Sequence, residues 1–279
     1  MTLLVFLAAL ASAFFHAGWN AIARRQEDPG AGLALVVIMA GVVSVPGLAV
    51  VGPPATPSLP WMALACGCNL VTMRVMMATY RRMPFNLAYP LVRGISPLGV
   101  AILGFVLFSY TLSPLGIGGV AVISLAVLML AASSRIGASI PVSATALALA
   151  AGISNAFFSI ADARGVRLSE NLLGYSFLVA IVNAVLVSAM MVIERSGWLA
   201  AVKRYWKVGL VGCMGSMSSY LLMVYGFANG PVAAVSALRE TSIFFSVLIA
   251  ATFLREQVGA LRWAAVAVAV AGIAMLRLS

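Results

Sequence analysis

The residues most able to do chemistry in this sequence are a few charged side chains that interrupt long apolar stretches. Arg93 and Arg239 each lie inside such a stretch, Glu240 is the one carboxylate deep within one, and Asp162 lies near the end of another. A guanidinium offers five N–H donors in a planar fork that matches a carboxylate. The two arginines therefore predict groups that bind a solute's carboxylate or latch a gate, or else a structural salt bridge or a snorkelling side chain.

The two carboxylates have a complementary chemistry. Either Glu240 or Asp162 can bind an ammonium group or carry a proton. For Glu240 the alternative is a fixed ion pair with Arg74 or Arg93. Adjacent Arg239 is a poorer partner, because successive side chains on a helix point about 100° apart.

Polar and aromatic side chains form a stripe near the start of the chain. His16, Trp19 and Asn20 have the i, i+3, i+4 spacing that places them on one helix face. Such a face is expected to line an interior cavity, since lipid offers it no hydrogen bonds. His16 is the sole histidine and has no nucleophile or carboxylate in sequence reach, so we expect a hydrogen-bonding cavity residue, no catalytic residue and no metal site. The other candidates for this lining are Tyr80, Tyr89, Asn155, Phe158, Ser159, Tyr220, Ser236 and Ser242.

The elements that hold these residues are predicted to be transmembrane helices. The sequence of 279 residues is 63% apolar and 9% charged, whereas a soluble domain has about 25% charged residues. A helix crosses the hydrocarbon core with roughly 20 apolar residues. We predict an all-α integral membrane protein with spans at about 3–23, 31–51, 60–80, 86–108, 114–132, 142–163, 173–193, 207–229, 232–254 and 259–277.

The distribution of Lys and Arg predicts the orientation of these spans. The loops that follow odd-numbered spans hold eleven of these residues, and the opposite side holds three. Positively charged loops remain cytoplasmic, so both termini are predicted to lie outside. This distribution attributes the net charge of +10 to the loops, so the charge does not predict that the protein binds nucleic acid.

The two halves of the sequence resemble each other. Arg93 and Ser96 recur as Arg239 and Ser242 at a single offset of 146 residues. Because five is an odd number, a second copy of five helices enters the membrane from the opposite side, and this produces the inverted repeat of many secondary transporters. We therefore predict one repeat over 1–137 and another over 138–279, with the arginines toward opposite membrane faces. Chance similarity between apolar helices is the alternative.

Backbone flexibility has candidates in the fourth span. Pro90 and Pro97 interrupt it and Gly94 lies between them. A proline removes a helical hydrogen bond and kinks the chain. These three residues are predicted to form a hinge, or otherwise a static kink.

A short motif near the end of the chain resembles a known family. Phe253-Leu254-Arg255-Glu256-Gln257-Val258, followed by Arg262-Trp263 and a helix ending in Ala271-Gly272-Ile273, is similar to the close of an EamA-type domain. That family usually has "FLGE" there, so Arg255 replaces a Gly, and Ser109-Tyr110 stands where the first repeat would have "GE". The resemblance implies the drug/metabolite transporter superfamily, in plan most similar to bacterial amino-acid exporters, including those for aromatic amino acids. It also implies cytoplasmic termini, against the charge count.

Together these features predict a secondary transporter in a bacterial-type cytoplasmic membrane that exports small metabolites, most directly aromatic and other neutral amino acids. Its partners would be that solute and the lipid bilayer, with no cofactor, and the two fused halves would function as a monomer. The sequence contains no Gly-x-x-x-x-Gly-Lys-Ser/Thr motif for binding ATP. A multidrug exporter that binds lipophilic cations at Glu240, a membrane-embedded lipid-modifying enzyme and a channel are the alternatives.

Overall fold

Apolar helices form nearly the whole molecule. The computed structural model describes residues 1–24, 28–133, 141–194, 198–252 and 259–279, and these residues contain no strand. The helices are α1 Leu3–Arg24, α2 Pro29–Val51, α3 Leu59–Tyr80, α4 Phe85–Phe108, α5 Pro114–Ser133, α6 Val142–Arg167, α7 Leu172–Glu194, α8 Trp198–Asn229, α9 Val232–Glu240, α10 Ser242–Thr252 and α11 Ala260–Leu278. The predicted all-α class is confirmed.

The outside of the bundle is suited to lipid. Nine helices in the described part of the chain are long and apolar enough to cross a membrane. Large apolar side chains cover the outer surface, as at Val50 and Val142, which are 85% and 86% exposed. In water such a surface would be costly, but hydrocarbon solvates it well. The chain is therefore a multi-pass membrane protein.

The ninth span differs from the single helix that the sequence predicts over 232–254. It consists of α9 and α10, which are separated by one turn residue, Thr241. The Thr241 hydroxyl donates to the carbonyl of Leu238 at 2.5 Å, and a side chain bonded to its own backbone competes with helix continuation. The sequence offers no Pro or Gly there, so the break is not apparent in the pattern.

The eighth helix also begins earlier than predicted. It starts at Trp198 rather than near residue 207. The additional turns contain Lys203, Arg204 and Lys207, which are exposed. Charged residues end an apolar span without ending a helix, because a helix can continue into water.

Contacts between the halves follow a regular exchange of partners. Helix α1 packs against α8, and α3 packs against α6, while α2 meets α7 and α5 meets α11. If the sixth to tenth spans are copies of the first to fifth, the α1–α8 and α3–α6 pairs are two copies of the same contact. In the other two pairs, α2 packs against its own copy, α7, and α5 packs against its own copy, α11. In the α1–α8 pair, the buried hydroxyls of Ser12 and Ser219 donate to each other's backbone carbonyls at 2.7 and 2.8 Å.

One face of the bundle is tied together by hydrogen bonds. We call it the terminal face, because Met1 and Ser279 lie there; the opposite, arginine face contains Arg81 and Arg82. At the terminal face, Asn171 donates to the carbonyls of Val51 and Gly52. Arg167 donates to Phe227 and Gly230 at 2.9 and 2.7 Å, so the ends of four helices are joined.

Replacing Gly41 with Val is expected to destabilise the α2–α7 contact. A Cβ at Gly41 would lie 3.0 Å from the Ala180 carbonyl oxygen and overlap the Ala184 methyl group, and overpacking costs about 1–3 kcal/mol. Thermal unfolding in detergent should show a lowered Tm.

Gly67→Val in α3 is the matched control, because nothing lies within 4 Å of a Cβ at Gly67. Both changes carry a similar cost in helix propensity. Equal Tm values for the two variants would contradict this packing.

Candidate functional site

A cavity of about 300 Å³ lies among the helices of both halves. Ten of the residues predicted from sequence line it: His16, Trp19, Asn20, Tyr80, Tyr89, Arg93, Asn155, Phe158, Tyr220 and Arg239. They come from six spans, and they meet because the α1–α8 and α3–α6 contacts bring the halves together. The volume is at the low end of the range for small-molecule sites, about 300–1,000 Å³.

The cavity extends toward the arginine face. Leu33 and Val37 line it from the first turns of α2, Tyr89 lines it from the start of α4, and Tyr80 is the last residue of α3. All these positions lie at or near the arginine face. In the second half, Asn155 and Asn183 line it from near the middle of α6 and α7. The site therefore reaches from mid-membrane to one side, while the terminal face is joined by hydrogen bonds.

Arg93 forms a buried ion pair across the α4–α9 contact. Its Nε lies 2.5 Å from Oε2 of Glu240, and its Nη2 donates to the Ser242 hydroxyl at 3.2 Å. The side chains of Arg93 and Glu240 are almost entirely buried, and the guanidinium lies 5.5 Å from the ring centre of Tyr89. A buried charge needs such partners. Glu240 is therefore occupied, as the ion-pair alternative in the sequence analysis expected, and it does not line the cavity.

Arg239 has a different environment. It lines the cavity, and no described carboxylate lies within ion-pair distance of it. Its Nη2 lies 3.5 Å from Nδ1 of His16, whose ring packs edge-on against Trp19 with centroids 5.3 Å apart. The Nε of Arg239 and the indole N–H of Trp19 are buried without a hydrogen-bond partner. Arg239 thus has one unused donor, Nε, beside the rings of His16 and Trp19.

The two arginines line one cavity, whereas the repeat predicted them toward opposite membrane faces. Their segments pack directly together, since Arg93 contacts both Glu240 and Ser242. Ser242 is the counterpart of Ser96, which accepts a hydrogen bond from Asn155 at 2.7 Å. Equivalent segments of two related halves meet when they lie close to the axis that relates those halves. The position of each arginine along its span, on which the prediction was based, does not show how close it lies to that axis.

Asp162 lies just behind the cavity wall. The hydroxyls of Tyr175 and Tyr220 donate to its Oδ1 at 3.0 and 2.9 Å, and Tyr220 itself lines the cavity. Asp162 is fully buried, and its Oδ2 has no hydrogen-bond partner. The aspartate is thus one hydroxyl group away from the cavity.

Three predicted serines also lie outside the lining. Ser159 donates to the backbone carbonyl of Asn155 at 3.0 Å, Ser242 accepts from Arg93, and Ser236 is buried in α9. They support the helices that carry the lining residues and do not contact the cavity.

The predicted hinge in α4 lies beside the site. Pro90, Gly94 and Pro97 are all within one continuous helix, whereas the equivalent span of the second half is broken at Thr241. Discontinuous helices near the membrane midplane are common at transporter sites.

Several lining residues were missed from sequence. Asn69 donates to the Asn183 side chain at 2.8 Å across the α3–α7 contact, and both line the cavity together with Thr72. The signal was present, because an amide in an apolar helix needs a partner. Met73, Met76 and Met217 also line the cavity, but nothing in their pattern distinguishes them from lipid-facing residues.

Comparisons with known proteins agree with this architecture. The model of the EamA-like transporter family matches residues 142–278, and the resemblance stated from residues 253–258 is confirmed, although these residues lie outside the described structure. A solved crystal structure of a protein superimposes with a TM-score of 0.76 at 18% identity, over 99% of this chain and 96% of that one. Such low identity shows the fold alone. No curated protein matches the sequence.

Removing one member of the Arg93–Glu240 pair should destabilise the protein. Glu240→Gln leaves a buried guanidinium without its counter-charge, and breaking such a pair costs about 3–5 kcal/mol. We expect a lower Tm and less monodisperse protein after solubilisation.

The double variant Arg93→Gln/Glu240→Gln should recover most of the loss, because neither charge is then left unpaired. Additive losses in the double variant would show that the two side chains do not stabilise each other.

Proposed function

Residues 142–278 belong to the EamA-like transporter family of the drug/metabolite transporter superfamily, and on that premise we propose that the chain exports amino acids by alternating access. The family moves small solutes across membranes. The substrate class, the direction and the bacterial-type cytoplasmic membrane are the parts that we add. Aromatic and other neutral amino acids are the solutes that the site suits best.

The observation that carries the proposal is the position of Arg239. Arg239 lines the cavity and has an Nε without a hydrogen-bond partner, while the charge of Arg93 is neutralised by Glu240. A solute carboxylate is the natural partner, since it accepts bidentate hydrogen bonds from a guanidinium. The indole N–H of Trp19 is also without a partner, and it supplies a further donor nearby.

The rest of the lining suits an apolar side chain on the same solute. Val37, Met73, Met76 and Phe158 supply apolar surface, and thioethers adapt to side chains of different shape. The Asn69–Asn183 pair supplies further polar groups. A neutral amino acid, apolar at one end and charged at the other, fits this division.

Alternating access would follow from two oppositely oriented repeats, over 1–137 and 138–279. The exchange of helix partners between the halves supports this division, as does the family match that begins at residue 142. With the arginine face in the cytoplasm and both termini outside, the cavity would load from the cytoplasm while the terminal face is closed. Both halves of the site lie in one chain, so a monomer would suffice.

The alternatives are less well supported. A multidrug exporter that binds cations at Glu240 would need that carboxylate free, but Arg93 occupies it. A lipid-modifying enzyme would need a nucleophile with a base or a metal, and the family match favours transport. A channel would need a continuous pore, whereas the terminal face is joined by hydrogen bonds.

Arg239→Ala and Trp19→Ala should each reduce transport while leaving folded protein in the membrane. Loss of a charge-assisted contact of about 1.5–3 kcal/mol corresponds to roughly 10- to 100-fold in affinity for Arg239→Ala. Uptake of labelled phenylalanine, leucine and a cationic dye into proteoliposomes measures this, with and without a pH gradient.

Arg82→Ala is the matched control, because the Arg82 side chain is exposed and donates to the Ala78 carbonyl on its own helix. Normal flux in both cavity variants would remove Arg239 and Trp19 from the site. Transport of the dye without any amino acid would favour the multidrug alternative.

Alkaline phosphatase fused after Ser279 should be active, because the charge distribution predicts that the C-terminus lies outside. A green fluorescent protein fused at the same position should then be dark, since it does not fold after export in unfolded form. The opposite pair of results would place the termini in the cytoplasm, as the family resemblance implies.

A further inference from the structure

We infer that Asp162, held by Tyr175 and Tyr220, is the site at which this transporter binds the proton that it exchanges for its solute. The inference rests on the proposed function, because proton movement can be coupled to transport only if the protein transports a solute. It concerns the driving ion, which neither the family match nor the cavity lining assigns.

The two intramembrane carboxylates of the described site are in unequal positions. Glu240 lies 2.5 Å from a guanidinium, and a proton could bind there only by leaving Arg93 without its counter-charge. Asp162 has no ion-pair partner among the described residues; it accepts two hydroxyl hydrogen bonds at Oδ1, and Oδ2 is unoccupied. A proton at Asp162 neutralises a charge that nothing else neutralises directly. Because of this difference between the two carboxylates, we assign the proton to Asp162.

The groups that face Asp162 come from every neighbouring span. Tyr175 and Tyr220 reach it from α7 and α8, and the thiol of Cys66 in α3 and the guanidinium of Arg239 in α9 lie within electrostatic range. Helix α4 contributes Arg93 to the same cavity, but Glu240 neutralises that charge. Of these groups, Asp162 is the one carboxylic acid, and it has no ion-pair partner among the described residues.

Tyr220 connects this carboxylate to the cavity. It lines the cavity and donates to Oδ1 at 2.9 Å. A hydronium ion in the cavity can give its proton to the Tyr220 oxygen while the hydroxyl proton of Tyr220 passes to Asp162. The hydronium becomes water, the carboxylate becomes a neutral acid, and Tyr220 remains a neutral hydroxyl. No bond between heavy atoms changes, and no further reactant is needed.

The charges also determine the direction of coupling. A zwitterionic solute whose carboxylate binds Arg239 carries its ammonium group close by, and an ionised Asp162 attracts that group. A proton on Asp162 removes the attraction and weakens binding. Proton and solute therefore exclude each other, so the two move in opposite directions. An inward proton gradient would then drive the solute outward, as the proposed export requires.

The test uses purified full-length protein in proteoliposomes with labelled phenylalanine and leucine. An acidic lumen should accelerate uptake whichever way the protein is inserted, because exchange depends only on the gradients. Asp162→Asn should take up solute at the same rate with and without the gradient, and exchange of external for internal solute should persist with a raised KM, because the neutral side chain no longer attracts the ammonium group. A gradient response equal to that of the unaltered protein, or acceleration only by acid outside, would overturn the inference.

Tyr220→Phe removes the connection to the cavity and should reduce gradient-driven flux more than exchange. Tyr225→Phe on the same helix is the matched control, since Tyr225 does not line the cavity. Equal effects of the two substitutions would contradict the role given to Tyr220.

A second measurement does not depend on the solute. Infrared difference spectra between acid and neutral pH should show a protonated-carboxyl band that is absent in Asp162→Asn and retained in Arg93→Gln/Glu240→Gln. A band that survives in Asp162→Asn overturns the inference even if transport is found. The expected band pattern with no flux of any amino acid would instead count against the proposed function alone.

Discussion

The cost of placing charge in hydrocarbon determines the arrangement of this molecule. Each charged side chain within a span costs about 2.5–3.5 kcal/mol on insertion scales, so it must find a partner or water. The α4–α9 contact supplies the partner for Arg93, whose guanidinium lies between Glu240 and Ser242. Arg239 lines the cavity, whose volume of about 300 Å³ leaves room for water or a polar solute. The shape of the bundle, with its mid-membrane cavity and broken ninth span, accommodates these two needs.

The neutralised pair and the two charged groups without a fixed counter-ion have different consequences for function. Because Arg93 and Glu240 satisfy each other, they hold the two halves together and are poor candidates for binding a solute. Among the described residues, Arg239 and Asp162 remain without ion-pair partners, one for the solute and one for the proton in our proposals. At the terminal face, on the other side of the bundle, Arg167 and Asn171 bind backbone carbonyls and join the ends of neighbouring helices.

Most of the fold followed from the sequence, because apolar length is a direct signal of a membrane span. The spans appeared close to their predicted positions, and ten of the predicted site residues line the cavity. The sequence pattern did not show which side chains contact each other between helices. Tyr175 gave no sign of binding Asp162, and the break at Thr241 depends on one hydroxyl bonding to its own backbone. Such contacts arise from the approach of helices distant in sequence.

The most direct test of the central claim is a structure of the protein in lipid nanodiscs with a transported amino acid bound. The account predicts that the carboxylate of the amino acid lies against the guanidinium of Arg239, beside Trp19, while Arg93 remains paired with Glu240. An amino acid bound elsewhere, or an Arg239 side chain that points at acyl chains beside a sealed apolar centre, would contradict it.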